Sequence, residues 1–201
     1  MCHCVLSSYG RDLGGPIYIL KYPAANLTLP NPLAAPGPIT ATLLRSSQMA
    51  FNLSGDLCIA SFMDDDVQCF NPSTGAKTHD YSAEIAASGL SINPGGLAFD
   101  GDDRMYLTSV FTGQLAMEMN PGGPIVPVAT LPAQLNGNLV LHGGGIYTST
   151  FNISPPTFST PDPVYEVSTT GTVTKFIYGT AAPALGSDHI WGAYWMIFYS
   201  Y

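Results

Sequence analysis

The sequence predicts an all-β fold in which one small antiparallel sheet recurs along a single domain, residues 1–201. Three observations carry that expectation. The chain holds 21 glycines and 17 prolines but only 10% charged residues, a profile that suits short strands and tight turns and disfavours long surface helices. Its apolar runs are short, rich in β-branched and aromatic residues, and bounded by turn formers. Similar strings recur around a serine: "LSSY" at Ser8, "IASF" at Ser61, "LTSVF" at Ser109, "YTSTF" at Ser149 and "YSY" at Ser200, separated by 53, 48, 40 and 51 residues.

What surrounds each serine also repeats. Upstream stand "MAFNLSGDL", "LAFDGDDRM" and "LVLHGGGI", each an apolar strand, a polar or glycine turn and the start of the next strand. Downstream stand "IYILKYPAAN", "VQCFNPSTG", "LAMEMNPGG" and "VYEVSTTG", each a strand closing in a Pro/Gly/Ser/Thr turn. A fourth strand reads as "ITATLL", "PIVPVATL" and "TVTKFIY". No helical periodicity of any length stands out. A four-stranded sheet of about 48 residues cannot bury both faces alone, so neighbours must cover it, and radial stacking of such sheets makes a β-propeller of about four blades. The chain starts at the second strand of a unit, near residues 3–9, and the same strand recurs near 195–201. Three arrangements accommodate this: a segment of a larger propeller; four-blade closure, with "HIWGAYWMIFYSY" completing the sheet of "PIYILKYP" and "ITATLL"; or pairing of the spare terminal strand with another copy, giving a homo-oligomer.

The stretches "LSGDLCIASFMDDDVQCFNPSTGA" and "NPGGLAFDGDDRMYLTSVFTGQLAMEMNPGG" resemble blades of NHL-repeat propellers and their gluconolactonase/regucalcin-like, strictosidine-synthase-like and streptogramin-lyase-like relatives. The shared pattern is "G-L-A-F-D…G…(L/M)-Y", a polar loop, an apolar strand and "N-P-x-x-G", and it is strongest over residues 49–123. The resemblance implies that enzymatic relatives hold a divalent cation with acidic and amide ligands near the central channel. The matching positions here are Gln48, Asn93, Asn138, Asp188 and His189. Asp188 alone is acidic among them, which departs from the lactonase pattern and leaves these residues as a candidate ligand-binding mouth.

A net charge of −8 with six Lys plus Arg disfavours nucleic acid and anionic membranes, since neither phosphate backbones nor acidic headgroups find a cationic face. No run approaches the roughly 18 apolar residues of a membrane span, and no secretory leader is visible in this chain. Cys2-His3-Cys4 offers three ligands at the wrong spacing for zinc. Cys58 and Cys69 lie on opposite arms of one hairpin, where a disulfide and two buried thiols are both open readings.

Asp64, Asp65 and Asp66 form an acidic tip, and Asp100 and Asp102 lie in an Asp-Gly turn; each reads first as solvated turn chemistry, with calcium as the alternative. Glu118 and Glu166, 48 apart, read as equivalent solvent-facing or blade-edge positions, matched by Lys21 in an earlier copy. The recurring serines read as packing positions, and His79 and His142 lack an obvious nucleophile partner. Asn26, Asn52 and Asn152 are N-glycosylation sequons. No catalytic set emerges. The expected function is a non-enzymatic binding or structural module, extracytoplasmic, for a protein or glycan partner, presented by loops such as residues 22–38 and 151–163. The alternatives are a lactonase- or streptogramin-lyase-like enzyme with a divalent cation, and a self-assembling protein joined by strand addition.

Overall fold

The computed structural model describes residues 4–6, 17–22, 35–41, 46–132, 136–150 and 164–177, with backbone alone for 4–6, 17–22, 35–41, 136 and 175–177. Four antiparallel sheets follow one another in chain order. The first has three strands, β1 (Cys4–Leu6), β2 (Ile17–Tyr22) and β3 (Ala35–Ala41). The second, blade B, has four: β4 (Ser46–Phe51), β5 (Leu57–Ser61), β6 (Asp66–Phe70) and β7 (Lys77–Asp80). Blade C consists of β8 (Pro94–Phe99), β9 (Met105–Ser109), β10 (Gln114–Glu118) and β11 (Ile125–Thr130). Blade D consists of β12 (Asn136–His142), β13 (Gly145–Thr150), β14 (Val164–Val167) and β15 (Val173–Ile177). Among the described residues these sheets form part of a propeller and do not close a ring.

In every blade the strands pair in sequence order, as a run of short hairpins dictates. One end of the blades, here the upper end, carries the β5–β6 and β9–β10 turns and the connections into β8 and β12. The opposite, lower end carries the β4–β5, β6–β7, β8–β9, β10–β11, β12–β13 and β14–β15 turns. The first strands β4, β8 and β12 pack side by side. Blade C shows the period-2 alternation of a sheet covered on both faces. Leu97, Met105, Leu107, Ala116 and Ile125 turn toward blade B, meeting Cys58, Ala60, Val67 and Cys69. Tyr106 and Leu115 turn toward blade D, meeting Leu139, Ile146, Tyr165 and Val167.

The turns show why the sequence repeats. Asn52 and Asp100 open five-residue lower turns by accepting the backbone N–H of Asp56 and Arg104 on Oδ1, at 2.8 and 2.9 Å. The fourth residue is left-handed in both, Gly55 at φ +82° and Asp103 at φ +62°. In blade D the turn shrinks to Gly143-Gly144, both at positive φ, as a two-residue hairpin requires. Ser61, Ser109 and Ser149 lie on the second strands of their blades and are fully buried, so the recurring serine is a packing position.

Several expectations need correction. A six-residue helix, α1 (Ser82–Ala87), crosses from β7 to β8 and buries only Ile85, too short to leave a periodic signal. The fourth strand of blade B, "KTHD", is polar and half exposed, which hid it from a search for apolar runs. Glu118 is fully buried, not solvent-facing. It is also not equivalent to Glu166. Glu166 pairs with Tyr147, two positions before Ser149, whereas Leu107, two before Ser109, pairs with Ala116.

Candidate functional site

The strongest convergence of polar groups lies where the first strands meet. Gln48, on β4, accepts the backbone N–H of Leu97 and of Leu139 on Oε1, at 2.9 and 2.8 Å. Its Nε2 donates to Leu139 O at 2.9 Å and to Asn138 Oδ1 at 3.3 Å. All four hydrogen-bonding positions of the amide are therefore occupied by blades C and D. Two of the expected mouth residues, Gln48 and Asn138, thus meet each other. Gly96 makes room for this, because a Cβ there would stand 2.7 Å from both Gly137 O and Leu139 Cβ and 2.4 Å from Thr108 Oγ1.

Asn93 lies apart from that pair, at the upper end before β8. Its amide donates to the Asp65 carboxylate, its backbone carbonyl accepts from Val110 N at 2.8 Å, and its N–H donates to Ser109 Oγ at 3.1 Å. Asp188 and His189 fall outside the described residues, as do the sequons at Asn26 and Asn152, the loop 151–163, the strand near 195–201 and the Cys2-His3 pair.

The acidic tip splits into three environments. Asp65 is exposed and left-handed, at φ +53°, where blade C has Gly113 at φ +71°. Asp64 accepts from Ser61 Oγ. Asp66 is not part of a solvated tip: it begins β6, is 5% exposed and accepts from Gln68 Nε2 at 2.9 Å, while its Oδ1 is buried with no partner. Burial holds the Asp66 carboxyl above its ordinary range, partly offset by the Gln68 bond. Asp100 keeps a lowered value although burial opposes it, because Arg104 and the turn's N–H groups favour its charge. Asp102 is exposed and lies 3.3 Å from Arg104. Among the described residues no three His, Cys, Asp or Glu side chains converge as a metal site.

Sequence reading missed a second polar group, between blades B and C. Glu118 accepts the Gly122 N–H at 2.6 Å and the Met105 N–H at 3.4 Å, and burial raises its carboxyl. His79 lies 3.0 Å from Glu84 and meets the Tyr81 ring at a tilt of 53°, with ring centroids 4.2 Å apart. Glu118 passed for an edge residue because its strand neighbours suggested a 48-residue repeat that the register does not keep. Asn52, the described sequon, sits half exposed in its turn.

Cys58 and Cys69 face each other across β5 and β6 and form a disulfide, fully inside the core between blades B and C. At the upper end large apolar side chains recur in the open. Met63 and Phe111, each two residues past its blade's buried serine, are 51% and 47% exposed, and Phe62 meets Phe111 edge to face with centroids 6.0 Å apart. No helix among the described residues is long and apolar enough to cross a membrane.

The sequence matches no family profile and no curated protein. Solved structures do match. Virginiamycin B lyase from Staphylococcus aureus is 12% identical, with a TM-score of 0.55, over 90% of this chain and 61% of that one. A chain of the nidogen/laminin complex is 11% identical, with a TM-score of 0.67, over 89% and 63%. A calcium-binding regucalcin from Agrobacterium tumefaciens is 19% identical, with a TM-score of 0.51, over 68% and 44%. The chain spans less than two thirds of the length of each. At these identities the likeness speaks for architecture, and it falls on the same propellers that the blade motifs resemble. The chain therefore has the β-propeller fold that virginiamycin B lyase, the nidogen/laminin complex and regucalcin contain.

Proposed function

We propose that the chain is a non-enzymatic recognition module that binds a protein partner through the upper end of its blades. One observation carries this reading: Met63 and Phe111 occupy the same place in adjacent blades and both remain in the open. Packing explains why buried residues recur in a repeat, but it gives no reason for exposed apolar ones to recur. The Phe62–Phe111 contact joins the two turns into one surface across the blade boundary. The matched propellers include an enzyme and a protein complex, and the nidogen/laminin likeness accords with protein binding. The buried Cys58–Cys69 disulfide supports an extracytoplasmic location, where such bonds form and persist.

The test is a peptide-display selection against the intact protein, with enriched binders re-measured on the Met63→Ser/Phe111→Ser double variant. Binders that lose about tenfold or more in affinity on the variant are expected, as exposed apolar anchors dominate such contacts. Turnover of a lactone or cyclic depsipeptide with stoichiometric calcium would overturn the proposal in favour of the enzyme reading.

A further inference from the structure

We infer that the partner's contact segment is cationic: an apolar side chain flanked by lysine or arginine that docks on the Phe62–Met63–Phe111 surface. This rests on the recognition reading above and adds the chemistry of what is recognised. The argument is charge complementarity around an apolar centre. Asp64 and Asp65 lie in the same turn as Phe62 and Met63, directly beside the exposed apolar surface. The Asp65 carboxylate is held by the Asn93 amide, a neutral donor that fixes its position without cancelling its charge.

The wider upper end has the same sign. Asp66 begins the next strand and Asp80 ends β7. Lys77, which opens β7 at the lower end, reaches up to Asp80 at 2.7 Å, and the titratable His79 lies beside Glu84 at 3.0 Å. Arg104 lies at the opposite, lower end, engaged by Asp100 and Asp102. The upper end thus presents apolar area within a negative field. Such a field raises the encounter rate of a cationic segment and rejects an acidic one of equal hydrophobicity.

Three fluorescent peptides test this by anisotropy on the intact protein: a Leu-Ile pair flanked by lysines, the same pair flanked by glutamates, and the lysine peptide with serines replacing the apolar pair. The lysine–apolar peptide is expected to bind about tenfold or more tighter than either other peptide, and more weakly as salt rises. Asp65→Asn is expected to weaken it about threefold and Met63→Ser/Phe111→Ser about tenfold, each variant keeping the parent circular dichroism spectrum because the replaced side chains are exposed. Equal binding of the glutamate peptide, no binding of the lysine–apolar peptide, or indifference to both variants overturns the inference. Display-selected binders that depend on Phe111 but carry no excess positive charge also overturn it, while leaving the recognition reading in place.

Discussion

Blades B and C share strand order, turn lengths and the buried serine, yet they are secured differently. Where blade B places Cys58 opposite Cys69, blade C places Tyr106 opposite Met117 at the same register. One pair is a covalent link and the other is packing. Where blade B places Gln48, blade C places Gly96 and blade D Leu139, each two residues before the pair that precedes the first turn. A repeat therefore fixes backbone shape and the small buried residues that shape needs, while leaving individual positions open to different chemistry.

The largest expected break in the comparison is loss of the bond that blade C lacks. Replacing Cys58 and Cys69 together with alanine releases a short loop and should cost about 3 kcal/mol, read as a lower denaturation midpoint. Reduction of the parent protein should give a shift of the same direction, whereas unchanged unfolding would mean that the bond does not hold blade B. Gln48→Leu leaves the Leu97 and Leu139 N–H groups without their acceptor and should cost about 2 kcal/mol by the same measurement. Gly96→Ala should be comparable, about 1–3 kcal/mol, because the added methyl meets backbone and β-carbon atoms that cannot rotate away.

Asp66→Asn sharpens the comparison in the other direction, since blade C has neutral Gln114 at the corresponding strand start. With its carboxyl raised, Asp66 contributes stability that is full below the ordinary value of 3.8 and is lost as pH rises through the raised value. The asparagine variant should therefore be about 1 kcal/mol more stable than the parent at neutral pH and gain little in acid. Asp80 has the opposite sign. Its carboxyl is held at about 2, first by the Lys77 hydrogen bond and then by Ser82, so its contribution is present above 3.8 and fades as pH falls toward 2. Unfolding curves for both Asp66 and Asp80 variants across that range would separate the two effects.

The blade was legible in the sequence because its signals are local. A turn needs Asn or Asp at one position and a left-handed residue a few places on, so "NLSGD" and "DGDDR" announce themselves. The serine strings were legible because full burial leaves little choice of residue. What escaped were properties set by register between strands. Glu118 and Glu166 are 48 apart in sequence, yet lie at different heights in their sheets, because the β13–β14 pairing sets Glu166 opposite Tyr147, two before Ser149, while the β9–β10 pairing sets Ala116 opposite Leu107, two before Ser109. Burial of Asp66 escaped for a similar reason: three consecutive aspartates look alike, but the third is the first residue to join the ladder with Ser61. The pairing of Gln48 with Leu139 spans 91 residues, and no local pattern encodes a contact of that range.

The Gln48 amide carries one more consequence, for how the molecule opens. Its single carbonyl oxygen caps amide protons in two separate sheets, so neither can be exposed by a blade fraying alone at that point without the other losing its neighbour's anchor. Deuterium uptake at Leu97 and Leu139 should accordingly proceed in step in the parent and drift apart in Gln48→Leu. Three sheets that look independent on a topology diagram would then behave, at their innermost strands, as one cooperative body.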